Sequence, residues 1–305
     1  MTIALRTVLG FLLRMIIPLT AFAIAGFLFL RVFTTGLYEK VMETTLLGAV
    51  ALLMGEYAFW VILVLLLSAV GGLSGHYGVI GPKHFSHDGE QIKVFSVASR
   101  INHWIAATSC STLILTGLSM MAAAAPGTHE LLEGTGVVQI AWKIHGVAAI
   151  IFAPTALFML VEWSFAMLPR LYDIGWMKIA GGYLSKKKRP VPAHKFNVGQ
   201  KSWYWVGTAG GMVMAGTGLV MNQFWGGSDV LNLVALVHHC IAAAIVALFT
   251  VHIYMVTFAI KGSFGSMING HKSEEEVAIL HSLYYKELQE KKVKTAISSE
   301  GSGGK

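Results

Sequence analysis

Two histidines, His238 and His252, stand fourteen residues apart in the apolar run VHHCIAAAIVALFTVHIYMVTFAIKGSFGSM. On a continuous helix, fourteen residues advance about 21 Å and return to within about 40° of the same face. One helix of that kind offers an imidazole near each of its ends. An imidazole among apolar residues is costly unless it is hydrogen-bonded or holds a ligand. Two further histidines follow the same pattern, His103 in SRINHW and His145 in WKIHGVAAI, each near the start of its own apolar run. A single histidine of this sort is read first as a helix-packing hydrogen bond. Four of them raise a second chemistry, because neutral imidazole is the commonest protein ligand for a metal ion.

The elements that carry them are membrane spans. The chain has 305 residues, 55% of them hydrophobic and only 13% charged, with a mean hydropathy of +0.63. About 20 apolar residues cross a bilayer as a helix. Six runs reach that length, near 9–32, 46–73, 99–124, 140–168, 200–224 and 231–261. If all six cross, the basic residues divide unequally. All but Arg31, Lys40 and Lys143 of the 23 Lys and Arg fall on the side that holds both termini and the SKKKRP stretch. That bias predicts a bacterial inner-membrane protein with cytoplasmic termini. The first run reads as an uncleaved anchor, being long for a signal-peptide core. The net charge of +7 is topogenic, and no nucleic-acid motif accompanies it.

Topology then sorts the histidines. His252 and His103 fall at the cytoplasmic ends of their spans, while His238 and His145 fall at the outer ends. This gives one pair at each face. Paired histidines closing both axial positions of an iron suit electron transfer rather than oxygen chemistry, and a four-helix bundle is an architecture that brings such ligands together. The expectation is an all-α membrane protein, a four-helix bundle holding two haem b groups, with two additional N-terminal spans and a cytoplasmic C-terminal amphipathic helix. The divisions fall at 1–85, 86–270 and 271–305. Cys110 and Cys240 both lie in spans, and no CxxCH motif for covalent haem is present. Small residues in GTAGGMVMAGTG, Gly146 and the alanines at 242–244 allow a backbone or a flat macrocycle to come close. Arg100 and Lys143 are candidates for pairing haem propionates, against an ordinary role as interfacial anchors.

The segments SRINHW, KIHG, HKFNVGQKSWYW and HH…VHIYMVTFAIKGSFGSMINGHKS, in this order and spacing over residues 95–285, resemble the cytochrome b (gamma) subunit of respiratory membrane-bound formate dehydrogenases. The first 85 residues lie outside that core and resemble the extra N-terminal helices of longer members. The resemblance implies that His103 and His252 ligate a cytoplasmic-side haem, and that His145 and His238 ligate an outer one. It further implies a quinone site beside the cytoplasmic haem, carried over to Asn197, Gly199 and Gln200. The expected partners are an iron–sulfur (beta) subunit, a catalytic molybdenum or tungsten (alpha) subunit, the quinone pool and membrane lipid. No cysteine cluster is present, so formate oxidation is expected on another subunit.

His239 competes with His238, which the spacing favours. His76, His84, His87, His129, His194, His271 and His281 fall in loops or the tail and read as solvated, with His194 a candidate for proton delivery. Glu56, placed within the second span, reads as protonated or paired with a neighbouring helix. The residues from 298 onward, SSEGSGGK, read as flexible. A b-type subunit of a nickel–iron hydrogenase or thiosulfate reductase shares the bundle and ligands but not the NVGQK and KGSFGSMINGH stretches. A haem-free histidine-relay transporter needs polar residues along a mid-membrane path, and the third to sixth spans hold few beyond Ser, Thr and the histidines.

Overall fold

A computed structural model of the chain describes residues 3–32, 40, 45–86, 89–132 and 134–302; His87 and the last three residues of the tail lie outside the described residues. The principal helices are α1 (Ile3–Val32), α2 (Leu46–Met54), α3 (Ala58–Val79), α4 (Val97–Ala124), α5 (Val137–Met167), α6 (Tyr172–Lys178), α7 (Val198–Trp205), α8 (Gly211–Asn222), α9 (Ser228–Tyr254), α10 (Glu274–Leu280) and α11 (Ser282–Ser302). Among the described residues four helices are long and apolar enough to cross a membrane: Ala58–Val79, Val97–Ala124, Val137–Met167 and Ser228–Ala259. The chain is therefore an integral membrane protein by length and composition of its helices.

The other two runs depart from uninterrupted spans. In α1 the apolar stretch Ile16–Leu30 is shorter. The fifth run is α7 and α8 joined through a π-helical turn at Val206–Gly210. A second π turn, Met255–Ala259, continues α9. The second run is also divided. α2 ends at Gly55, and α3 begins at Ala58. Glu56 sits in the break rather than inside a helix, 60% exposed and 4.0 Å from Lys40. The break removes any need to bury the carboxylate in an apolar span.

The chain forms two compact units. The first comprises Met1–Val79, Ile101–Glu162 and Trp203–Tyr254. Here α1 lies along α3, with the Phe22 ring 3.1 Å from where a side chain on Gly71 would begin. Ile62 of α3 is buried against Ala243 and Val246 of α9, with Leu118 and Met121 of α4 around them. A second cluster joins Ala106 and Cys110 of α4, Phe152 and Ala156 of α5 and Ile245 of α9, flanked by Trp203, Met212 and Met214. The helices α4 and α9 contribute to both clusters.

The second unit comprises Ile80–Arg100, Trp163–Ser202 and Met255–Lys305. Its centre is a short antiparallel ribbon, β1 (Gln91–Lys93) with β2 (His271–Ser273), in the register Gln91↔Ser273 and Lys93↔His271. Gly270 precedes β2 at φ +86°, and a side chain there would begin 2.8 Å from the Phe95 carbonyl oxygen, so only glycine fits. Phe95, Trp163 and Phe196 pack their rings together.

The C-terminal segment, expected as one surface helix, is two. Ser273 caps α10 by accepting from the Glu276 N–H, and the helix stops at His281 (φ −136°, ψ 50°). His281, expected to be solvated, is 2% exposed. Its Nδ1 bonds the His194 carbonyl at 2.8 Å, and that contact turns the chain. The helix then continues to Ser302, through residues whose composition reads as flexible.

Candidate cofactor-binding site

α9 carries His238 and His252 on an unbroken stretch, α4 carries His103 and α5 carries His145. The fold brings them together in the pairs derived from topology. The ring centroids of His103 and His252 are 6.4 Å apart with 59° between the planes. Those of His145 and His238 are also 6.4 Å apart, at 50°. Two imidazoles bonded to each other directly would bring their centroids to about 5 Å. Two imidazoles on opposite sides of one metal ion, with metal–nitrogen distances of about 2.0–2.1 Å and about 1.1 Å from nitrogen to ring centre, would stand about 6.3 Å apart. Both pairs fit the second arrangement.

The His145 and His238 rings are held alike. His145 Nδ1 is 2.9 Å from Thr116 Oγ1, and Thr116 Oγ1 donates to the Thr112 carbonyl at 2.7 Å. His238 Nδ1 is 2.9 Å from Thr217 Oγ1, which donates to the Val213 carbonyl at 3.0 Å. Each hydroxyl spends its single proton on its own helix, so it can only accept from the ring. Both rings therefore carry hydrogen at Nδ1 and present an Nε2 lone pair. Gly117 and Gly218 follow the threonines, and a side chain on either would begin 3.5 and 3.6 Å from the neighbouring imidazole.

The other pair is held differently. His103 buries Nδ1 without a hydrogen-bond partner among the described residues, and the Trp104 ring meets it edge-on at 5.4 Å. The Trp203 ring stacks on His252 at 5.5 Å and 19°. Trp203 stands three residues before one π turn, and His252 three residues before the other. Such turns re-aim side chains within a helix.

His239 bonds the Met54 carbonyl through Nδ1 at 2.6 Å, so α2 occupies it while His238 faces His145. His76, expected in a loop, lies in α3 with Nδ1 2.5 Å from the Tyr254 hydroxyl. His129 bonds the Ala123 carbonyl. Arg100 donates to the Ile268 and Ser96 carbonyls, which engages its guanidinium with backbone. Lys143 lines a groove of about 660 Å³ with Trp104, Thr108, Thr112 and Val147.

Asn197, Gly199 and Gln200 form the start of α7 in the second unit. Asn197 Oδ1 accepts from the Gln200 N–H at 3.0 Å, and Gln200 Oε1 accepts from the Asn197 N–H at 2.9 Å. This reciprocal pair is a capping box. It commits both amide oxygens to the helix start. Asn197 is buried, with Nδ2 3.5 Å from the Tyr183 hydroxyl. Gly199 lies against the Trp176 ring, whose indole nitrogen is buried without a partner among the described residues.

Charged groups surround this loop within the same unit. Lys201 Nζ contacts both Asp173 oxygens, at 3.0 and 2.7 Å, with side chains 6% and 9% exposed. Lys272 pairs with Glu276, both buried. His194 pairs with Glu287 at 2.5 Å. Burial and the nearby Lys272 ammonium push His281 down to about 3, and burial and Glu276 push the Tyr183 phenol up. Thr116, Thr217, Trp203, Trp176 and the Lys201–Asp173 pair escaped the reading by residue type. A signal existed in the repeated Thr-Gly-Leu of residues 116–118 and 217–219, but it has no weight until the threonines are seen to face histidines.

The chain is 26% identical over 210 residues to the formate dehydrogenase cytochrome b556 subunit of Haemophilus influenzae, covering 67% of this chain and 87% of that one. It is 24% identical over 207 residues to the nitrate-inducible formate dehydrogenase cytochrome b556(Fdn) subunit of Escherichia coli K12, covering 66% and 93%. The cytochrome b556(fdo) subunit of formate dehydrogenase from the same organism is 23% identical, covering 66% and 95%. The family described as prokaryotic cytochrome b561 matches residues 94–270, which hold all four paired histidines and more than half of the chain. The chain belongs to the prokaryotic cytochrome b561 family.

Proposed function

We propose that this chain is the membrane cytochrome b subunit of a formate dehydrogenase, relaying electrons from an iron–sulfur partner to quinone. The observation that carries the reading is the pair of 6.4 Å histidine separations at the two ends of one bundle. His103 and His252 would hold one haem b, and His145 and His238 the other. Bound there, haem would supply one-electron chemistry. The protein's part is to fix four imidazoles on helices that pack through the buried apolar cluster of Cys110, Phe152, Ala156 and Ile245.

In this reading six segments cross a bacterial inner membrane, with both termini cytoplasmic and His145 and His238 on the outer side. Electrons from iron–sulfur and molybdenum- or tungsten-containing subunits would enter at that side. Moving them inward against a potential negative inside stores about 2.3 kcal/mol per charge per 100 mV. Quinone would be reduced near Asn197, Gly199 and Gln200. Two groups there support this: the Gln200 amide nitrogen, left free by the cap, and the unpartnered Trp176 indole N–H are donors suited to a quinone carbonyl. The relatives found carry formate dehydrogenase names, which favours this partner set over a hydrogenase or thiosulfate reductase.

The test is a pyridine haemochrome assay on the purified chain, joined to turnover of the intact complex. Two extractable b haems per chain are expected. His103→Ala and His252→Ala should each lose one haem and abolish quinone reduction, while formate oxidation with an artificial acceptor survives. Haem near zero in folded wild-type protein would refute the reading.

A further inference from the structure

We infer that Thr116 and Thr217 are positioning residues that lower the reduction potential of the haem held by His145 and His238, a proposal that rests on the haem reading above. Serine and threonine hydroxyls in apolar helices ordinarily bond the carbonyl one turn back. Ser109, Ser111, Thr112 and Thr250 do so here. Thr116 and Thr217 make that same bond and, in addition, each meets a histidine ring at 2.9 Å. With its proton already donated, the hydroxyl oxygen accepts from Nδ1–H. This pins the ring in one tautomer and one orientation, with Nε2 left free to ligate.

The electronic consequence follows from the direction of the bond. An imidazole that donates from Nδ1 to an acceptor carries more electron density at Nε2 and is the stronger ligand. The stronger ligand favours the more highly charged ferric iron over ferrous, so the potential falls. The effect is doubled at this pair, because both of its histidines are back-bonded, by threonines on different helices, α4 and α8. At the other pair His103 has no acceptor for Nδ1, so this contribution is missing from at least one of its ligands. The chain thereby makes the His145–His238 haem the better electron donor of the two through neutral hydroxyls, without placing a charge beside it.

The experiment is a redox titration of the purified holoprotein, following each haem optically and by low-spin ferric electron paramagnetic resonance. Thr116→Val and Thr217→Val are made singly, with Thr116→Ser and Thr217→Ser as hydroxyl-retaining controls. The loss of one back-bond is expected to reduce the preference for ferric iron about tenfold, an upward shift of about 59 mV for one electron. The haem lost in His145→Ala should show the shift, and the one lost in His103→Ala should not. The serine variants should keep the wild-type potential. Two haems per chain with both potentials unmoved in the valine variants would overturn the inference and leave the haem reading standing. Equal shifts in valine and serine variants would overturn it too, because packing rather than the hydroxyl would then be responsible. Should a valine variant lose its haem, the serine pair decides: retained haem at the wild-type potential supports the hydroxyl's role, and a shifted potential overturns it. A wild-type chain without haem would bring down the haem reading and this inference together.

Discussion

Lys201 and Asp173 should be worth far more to each other than to the protein. The ammonium and carboxylate touch at 2.7 Å with side chains 6% and 9% exposed, and Asp173 Oδ2 also accepts from the Arg170 N–H at 2.7 Å. The pair ties the first turn of α6 to the first turn of α7, immediately after Gln200. Removing one member strands a buried charge, which typically costs about 3–5 kcal/mol. Nearly complete burial puts Asp173→Asn and Lys201→Met in the upper half of that range. The double variant Asp173→Asn/Lys201→Met has no buried charge, and the amide introduced at position 173 would keep an oxygen for the Arg170 N–H. It should return to within about 1 kcal/mol of wild type. The assay is a denaturant titration of the purified protein in detergent micelles, run as a double-mutant cycle. A double variant as unstable as the two singles added together would refute the reasoning, as would singles costing under about 1 kcal/mol.

Further outcomes follow from single contacts. Gly211→Ala places a methyl 2.6 Å from Phe152 Cε1 inside the bundle core and should destabilise by about 1–3 kcal/mol, whereas Gly216→Ala, which meets nothing within 4 Å, should be neutral or stabilising in the same titration. Asn197→Ala removes the acceptor for the Gln200 N–H and should cost about 1 kcal/mol; a quinone titration of the assembled complex should show a weakened apparent affinity if the loop serves as proposed. His281 is held neutral, pushed down to about 3 by burial and by the facing Lys272 and His194, whereas the unfolded chain binds a proton near pH 6.5. Between those values the unfolded state holds more protons, so stability should fall on acidification by up to about 1.4 kcal/mol per pH unit, and His281→Gln should flatten that slope.

The sequence was most readable where a regular helix carried the information. Fourteen residues between His238 and His252 mean two levels on one face only if the helix is unbroken, and α9 runs without interruption from Ser228 to Tyr254. The partners His103 and His145 then followed from topology. Reading failed where hydropathy hid a break. LLMGEYAFW averages as apolar, yet Gly55 ends α2 in a conformation (φ −92°, ψ −89°) where a side chain would begin 2.8 Å from the Ala51 oxygen, and the following Glu56 is solvated. It failed again where a side chain's partner lies far along the chain: His281 reads as a tail histidine until the His194 carbonyl, 87 residues earlier, is found beneath it. The NVGQK loop illustrates a third limit. Its amides suit a ligand and a helix cap equally well by residue type, and only geometry shows that the oxygens serve the cap.

Apart from His103 Nδ1 and the Trp176 indole nitrogen, the two units pair their buried polar groups by different routes, and the difference bears on what the histidines are for. The second unit pairs full charges, Lys201 with Asp173 and Lys272 with Glu276. The first unit uses neutral groups in its apolar helices: hydroxyls return their protons to their own helix, and Thr116 and Thr217 go on to take the Nδ1 hydrogens of His145 and His238. After that accounting, each of these rings has one nitrogen left, and its neighbour across 6.4 Å is another imidazole in the same state. Two neighbouring imidazoles, each left with an unshared lone pair in an apolar core, are unfavourable by themselves. A proton shared between them would require closer rings, and a relay would require polar residues onward from the pair, where Phe152, Ala156 and Ile245 stand instead. A cation between them, as proposed above, would resolve both objections at once. The same logic predicts that His145→Gln, which keeps a polar group but offers no imidazole nitrogen, should lose one haem as completely as His145→Ala, whereas a purely hydrogen-bonding role would leave the glutamine variant close to wild type in haem content and in stability.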